Sequence, residues 1–153
     1  MIKIALTQTS PGQYDIILAN ISNKKFTTVK MLNGAFQSID DDLLETNSVF
    51  KDLGVVPAHS LTKISATDDY ELDMTIWFNL DFYVDENKTP EMYKFTIPRW
   101  FNYDKDAVAI LPEGKKGIVI SLEPREDNQM IDEWMQQNDT KGRYTRFNDG
   151  ATK

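Results

Sequence analysis

The sequence predicts a mostly β fold of the β-rich α+β class, an antiparallel sandwich or barrel-like sheet with a long hairpin and two short helices. Three observations support this. Residues 70–84 alternate strictly between apolar and polar side chains, which is the period of a strand with one buried face. Shorter runs rich in β-branched residues stand on both sides of it, separated by turns that contain glycine, proline or asparagine. Helical spacing of apolar residues is confined to two short segments.

The first elements are predicted to be three short strands. Residues 2–7 alternate apolar and polar side chains before a turn at Pro11 and Gly12. Residues 15–21 are almost continuously apolar, which indicates a strand buried on both faces. After a polar turn, residues 26–32 are rich in β-branched side chains and predict the third strand.

We predict a helix near residues 38–53, because the apolar residues there recur close to helical spacing. Ser38 can cap its N-terminus, and the aspartates at 40–42 favour the positive end of a helix. The β-branched Thr46 and Val49 favour a strand instead, so a break of the helix near Thr46 is the alternative.

The clearest pattern is the strand predicted over residues 70–84. At ~3.3 Å per residue it would span on the order of 50 Å, whereas ordinary strands are about 3–10 residues long. A strand of that length must bend, cross a barrel or project beyond a compact core. Its polar face carries Trp77 and Tyr83, which form either a binding surface or a second core layer covered by another element.

Two hairpins are predicted in the second half of the chain. Residues 91–97 should return antiparallel to the long strand with matching buried faces, which allows Phe82 to pair with Phe95, or the register two residues away. The apolar runs 107–111 and 118–122 are joined by a glycine-containing loop, as in a second hairpin.

The C-terminal segment differs from the rest of the chain. Pro124 suits the first position of a helix, and Trp134 belongs to a short apolar stripe that follows it. Residues 141–153 carry four cations and one carboxylate, which predicts a basic, polar arm. We therefore expect a β-rich domain over 1–123 that contains the helix near 38–53, and a C-terminal helix and arm over 124–153.

The chain of 153 residues is acidic, with a formal net charge of −7 and a pI near 4.7. Repulsion between like charges argues against direct binding to nucleic acid or an anionic membrane, and permits basic partners. The absence of cysteine excludes disulfides, thiolate catalysis and cysteine-ligated metal sites. No apolar run approaches the roughly 20 residues of a membrane span, and no signal-peptide core is recognisable, so we expect synthesis in the cytoplasm.

No catalytic pattern is recognisable, and we expect neither enzymatic activity nor a cofactor or metal. His59 is the only histidine, and its neighbours in sequence include no partner for acid–base chemistry. The acidic clusters at 40–42 and 68–73 could supply oxygen ligands to a cation, but helix capping and exposure on a strand explain them without one. Phosphate-loop, dinucleotide and zinc motifs are absent.

Aromatic and arginine residues are the most informative candidates for function. Tryptophan, tyrosine and arginine dominate the hot spots of protein interfaces. The predicted protein-binding residues are Trp77, Tyr83, Arg99, Trp100, Tyr103, Trp134, Arg143 and Arg146.

These observations favour a non-enzymatic structural protein of a larger assembly. Its long hairpin and C-terminal arm would contact copies of itself or other subunits, as in a phage-like capsid or tail, and the protein would then reside in the virion. The first alternative is an acidic inhibitor or DNA mimic that binds a basic host protein. The second is a carbohydrate-binding module or small enzyme that uses Trp77, Tyr83 and Trp100.

Overall fold

A computed structural model of the protein describes residues 1–39, 42–109, 114–127, 129–138 and 144–146, with the backbone alone at 38, 39, 42 and 144–146. In chain order the strands are β1 (Ile2–Ser10), β2 (Gln13–Asn20), β3 (Thr28–Ile39), β4 (Asp42–Glu45), β5 (Ser48–Asp52), β6 (Ser60–Asp68), β7 (Thr75–Tyr83), β8 (Glu91–Thr96), β9 (Val108–Ala109), β10 (Lys116–Ile120), β11 (Glu123–Pro124) and β12 (Tyr144–Arg146). The helices are α1 (Tyr103–Asp106) and α2 (Ile131–Asn138), and Glu71–Asp73 forms one turn of 3₁₀ helix.

The described strands form two sheets that pack as a sandwich. The first sheet has the order β6-β2-β1-β10-β9, and the second has the order β11-β8-β7-β3-β5-β12, with β4 also paired to β3. Neighbouring strands are antiparallel except β5 and β12, which are parallel. The predicted mostly β fold is confirmed, and of its two forms the sandwich is the one observed, because the described strands do not close into a barrel.

The core lies between the two sheets. The first sheet contributes Ile4, Leu6, Ile16 and Leu18, and the second contributes Val29, Met31, Ile76, Phe78, Leu80, Phe82 and Phe95. The rings of Phe78 and Phe95 stack with their centroids 4.6 Å apart. The predicted alternation is confirmed for β7, since its even-numbered side chains all enter this core.

The strand predicted over residues 70–84 is too long. β7 has nine residues and begins at Thr75, after the 3₁₀ turn. Asp68 Oδ1 accepts a hydrogen bond from the Glu71 N–H at 2.8 Å, so a local acidic side chain takes a donor that a strand ladder would use. The length of β7 is ordinary, and the expectation that it must bend or project is wrong.

The hairpin of β7 and β8 forms with the expected faces but in a different register. The prediction pairs Phe82 with Phe95 or with a residue two positions from it, whereas Phe82 lies opposite Glu91, four positions away, and Phe78 lies opposite Phe95. Faces still match because the difference is an even number of residues. The connection between the two strands is shorter than the predicted pairing requires, and this accounts for the change of register.

The helix predicted near residues 38–53 is wrong. β3 continues into this segment, and β4 and β5 occupy most of the rest, with 40–41 outside the described residues. Thr46 lies in the connection between β4 and β5, and its Oγ1 accepts a hydrogen bond at 3.0 Å from the N–H of Ala35 in β3. Val49 follows its strand preference in β5, because pairing with the long β3 overrides the helical spacing of the apolar residues. The second short helix of the fold is α1 instead.

The C-terminal helix is confirmed, but Pro124 does not begin it. α2 begins at Ile131, and Pro124 pairs in β11 with β8. Of the predicted arm at 141–153, residues 144–146 form β12 beside β5, and the rest lies outside the described residues. The division of the chain after residue 123 stays a prediction.

The second hairpin is confirmed where it is described. β9 and β10 pair antiparallel, with Lys116 opposite Ala109. Residues 110–113 of the predicted first run and loop lie outside the described residues.

Candidate protein-binding surface

Three of the predicted binding residues lie on the outer face of the second sheet, where α2 packs. Trp77 and Tyr83 project from β7 on the side opposite the core, and Trp134 belongs to α2. Tyr83 is 6% exposed, and Trp77 and Trp134 are half-buried. The tryptophans pack against an apolar cluster of Leu32, Phe50, Ile131 and Met135. We call this surface, formed by the outward side chains of β7 and by α2, the covered face. It corresponds to the second core layer of the two alternatives.

Gly34 makes room for Trp77. The two residues lie opposite each other in the ladder of β3 and β7. A Cβ atom on residue 34 would stand 2.8 Å from Cζ2 of the indole, closer than packing allows. The ring therefore lies directly against the backbone of β3, as a glycine within a strand often permits.

A buried ion pair fastens the segment before α2 to the covered face. Arg125 Nη1 lies 2.5 Å from Asp81 Oδ1, and both side chains are almost fully buried. Asp81 Oδ2 accepts a hydrogen bond from the Ile131 N–H at 2.7 Å. Arg125 Nη2 also donates to the carbonyl of Gln129 at 2.5 Å, and its Nε lies 3.4 Å from Asp127 Oδ1. Asp81 thus connects the middle of the sheet with the start of α2.

The role of this pair is to position α2. Burial raises the pKa of the Asp81 carboxyl above its ordinary value, although the Ile131 N–H and the Arg125 guanidinium both favour the ionised form. A pair with so large a desolvation cost contributes little net stability compared with apolar residues. Removing one partner, however, would leave the other charge buried. The pair therefore favours the observed position of α2 over positions in which the two charges are separated.

Tyr83 is held between the sheet and α2. Burial raises the pKa of its phenol to about 12, and the carboxylates of Asp132 and Asp81 act in the same direction. The Lys30 ammonium lies 5.1 Å from the centre of the ring and 2.5 Å from Asp132 Oδ2. These contacts give Tyr83 a structural role on the covered face.

The other described aromatic candidates lie at one end of the sandwich. The chain enters β7 and leaves β8 at this end, because the two strands are antiparallel. Arg99 Nη2 donates to the carbonyl of Asp73 at 2.7 Å, which joins the entering segment to the leaving one. We call the segments 68–73 and 99–106 together the aromatic end.

Tyr14 of β2 attaches the aromatic end to the first sheet. Its hydroxyl donates to Asp69 Oδ1 at 2.8 Å. Its ring meets Phe101 edge-on at 5.5 Å between centroids and lies 6.0 Å from the ring of Tyr103. Burial, followed by the hydrogen bond to Asp69, raises the pKa of the Tyr14 phenol to about 12. The half-buried Tyr103 also donates to the Lys116 carbonyl at 3.0 Å, so it supports this end.

Two aromatic side chains of this end extend into solvent. Trp100 is 88% exposed and Tyr70 is 86% exposed. The Arg99 guanidinium lies 5.7 Å from the centre of the Trp100 ring. Tryptophan is highly buried on average, and all three residue types belong to the hot spots of protein interfaces. The aromatic end is therefore the candidate protein-binding surface.

Carboxylates are frequent in the two segments that carry these aromatic side chains. The two segments carry six carboxylates and two cations, Arg99 and Lys105. Four of the carboxylates, those of Asp68, Asp69, Glu71 and Asp106, accept hydrogen bonds within the fold. Asp73 and Asp104 are exposed and accept none from the described residues.

The described residues hold no group of acidic side chains and histidine that could bind a metal ion. His59 has a φ of 50° in a turn, and its Nε2 lies 2.6 Å from Asn23 Oδ1. It is a loop histidine paired with an amide. Of the acidic cluster at 40–42, residues 40–41 lie outside the described residues. Neither described helix has the length and apolar character needed to cross a bilayer.

Sequence reasoning missed the buried pair of Asp81 and Arg125, which holds the segment before α2 on the covered face. Asp81 stands between buried Leu80 and Phe82, and a charge inside so apolar a strand could have indicated a buried partner. Arg143 lies outside the described residues, and Arg146 is described only as backbone of β12.

No protein-family model, curated protein or solved structure matches the chain.

Proposed function

We propose that the protein is a non-enzymatic component of a protein assembly and that it binds another subunit through the aromatic end. The observation that carries the proposal is the exposure of Trp100 and Tyr70 beside Arg99. The aromatic residues of the covered face already pack against α2. The aromatic end presents its two rings to solvent instead.

The way the aromatic end is anchored supports a binding role. The hydrogen bonds of Tyr14 to Asp69 and of Arg99 to the Asp73 carbonyl hold the segment 68–73 against β2 and against the residue that precedes Trp100. A preorganised loop loses less entropy on association than a free one. An aromatic side chain buries on the order of 150–250 Å², so two of them beside an arginine can form the centre of an interface.

The assembly that we propose is a phage-like particle, with the protein in its capsid or tail. The support for this finer proposal comes from the sequence, which joins an acidic body to the basic residues of 141–153 and carries no catalytic motif. The hairpin of β7 and β8 adds no support, since β7 has ordinary length. Capsid, portal or tail genes beside its gene are the expected finding, and a metabolic neighbourhood would contradict the proposal.

The alternatives differ in how well they fit these surfaces. An acidic inhibitor of a basic protein would use the same aromatic end with its carboxylates. A carbohydrate-binding module would need Trp77, Tyr83 and Trp100 together, but the first two lie on the covered face and the third at the aromatic end. This separation favours protein binding.

Site-specific photo-cross-linking tests the proposal and captures a partner whose identity is unknown. In the full chain, a photoreactive phenylalanine analogue replaces Trp100 or Tyr70, and the variants are produced in the cells in which the protein is made. Control variants carry the analogue at Leu61 or Val119, which are exposed apolar residues of the first sheet. We expect discrete protein adducts from the aromatic end and none from the controls.

Two outcomes would contradict the proposal. The first is the absence of adducts from both positions of the aromatic end in folded protein. The second is the same set of adducts from all four positions, since that pattern is typical of random collision rather than of a defined interface. Circular dichroism of each variant confirms that it is folded.

A further inference from the structure

The charges of the aromatic end indicate which class of partner it can bind. The two segments that carry the exposed rings also carry six carboxylates and two cations. The side-chain carboxylates of Asp73 and Asp104 accept no hydrogen bond from the described residues, so their charges are available to another molecule. Like charges placed opposite each other across an interface repel, which disfavours an acidic partner.

The exposed rings favour the same class of partner. Arg99 already places a guanidinium 5.7 Å from the centre of the Trp100 ring. Because Trp100 is 88% exposed, most of its surface is open to a further cation from outside. Arginine and lysine side chains bind to aromatic faces, and arginine can also pair with a carboxylate at the same time.

A second copy of this chain does not fit these requirements. The chain carries a net charge of −7, so two copies repel each other. Four of its seventeen cations lie at 141–153, and there the backbone of residues 144–146 pairs with β5 of the chain's own second sheet. Electrostatic complementarity therefore favours a basic segment of another protein.

We infer that the aromatic end binds a lysine- and arginine-rich segment of a different protein. Trp100 and Tyr70 contact the cationic side chains of that segment, and Asp73 and Asp104 form ion pairs with them. The inference rests on the proposed function, since it assigns the partner's chemistry to the same surface.

A titration with a short oligoarginine peptide tests the inference on the full-length protein. Trp100→Ala and the double variant Asp73→Asn, Asp104→Asn should each weaken binding about tenfold. The charge-matched control is Glu86→Gln with Glu126→Gln, which removes two exposed carboxylates outside the aromatic end. The control should weaken binding less than about twofold, and binding of wild type should decrease with added salt.

Three results would overturn the inference. One is equal weakening by the two double variants, because a general attraction to an acidic protein would explain it. Another is the absence of oligoarginine binding, or equal binding of an oligoglutamate peptide. The third is self-association through the aromatic end, measured by light scattering and lost in Trp100→Ala.

The two proposals can fail separately. Cross-links from the aromatic end without oligoarginine binding would leave the proposed function standing and overturn the basic partner. Absence of both would overturn both.

Discussion

The covered face and the aromatic end carry the same kinds of residue in opposite environments. Trp77 of the covered face packs against the apolar cluster that includes residues of α2, and Tyr83 is buried, whereas Trp100 and Tyr70 of the aromatic end are 88% and 86% exposed. Residue type alone therefore does not distinguish a core aromatic from a binding aromatic. The distinction depends on whether a later segment of the chain returns to cover the surface, as α2 does for one of them.

The two regions also differ in what holds them together. The covered face depends on the pair of Asp81 and Arg125 and on the close approach of Trp77 to Gly34. The aromatic end depends on hydrogen bonds to its backbone and to Tyr14, while the Trp100 side chain remains outside the core. Substitutions on the covered face should therefore change stability, and substitutions of the exposed rings should change binding.

The largest loss of stability is expected from Asp81→Ala. It leaves the Arg125 guanidinium buried without its buried carboxylate partner and removes the acceptor of the Ile131 N–H, so the free energy of unfolding should fall by about 3–5 kcal/mol. Urea denaturation measures the change. Asp127→Ala is the control, because loss of this exposed side chain should lower the free energy of unfolding by less than about 1 kcal/mol. A cost of Asp81→Ala no larger than that of the control would show that the pair does not hold α2.

A smaller loss is expected from Gly34→Ala. The added Cβ would stand 2.8 Å from the indole of Trp77, and overpacking of this kind costs about 1–3 kcal/mol. The matched test places Gly34→Ala in a Trp77→Ala background, where the cost should largely disappear. Additive effects of the two substitutions in urea denaturation would argue against the contact.

The smallest effects at neutral pH are expected from Tyr14→Phe and Tyr83→Phe. At pH 7, Tyr14→Phe removes the hydrogen bond to Asp69 and should cost about 1 kcal/mol. In the folded protein the pKa of each phenol is raised to about 12, so their contribution is complete below pH 10 and is lost as the pH rises towards 12. The urea midpoint of wild type should therefore fall more steeply over this range than that of either variant. The exposed Tyr70 provides the control, since Tyr70→Phe should follow wild type.

Regular pairing explains which strands the sequence predicts. The buried side of β7 alternates without interruption, and β1 and β2 match runs that are apolar in the sequence. β6 has no such pattern, because its buried Ile64 and Thr67 are three residues apart. A bulge shifts the register of β2 and β6 between Ile16 and Ile17 and hides the period of two.

Only part of the candidate site was predictable from the sequence, because the rest depends on contacts with other residues, some of them far away in the chain. Arg99 and Trp100 are recognisable as candidates in the sequence, but the exposure of Tyr70 depends on the Asp68 hydrogen bond that ends the strand pattern. The covering of Trp77 depends on α2, which Asp81 and Arg125 fix across a separation of 44 residues. Local patterns contain no information on such a contact.

The most direct test of the contrast between the two surfaces compares Trp77→Ala with Trp100→Ala. Both are measured for the free energy of unfolding in urea and for the yield of partner adduct cross-linked from position 70. Trp77→Ala should lower the free energy of unfolding by about 2–4 kcal/mol and retain the adduct. Trp100→Ala should change it by less than about 0.5 kcal/mol and lose the adduct. Equal destabilisation by both, with the adduct unchanged in Trp100→Ala, would contradict the assignment of one surface to the fold and the other to binding.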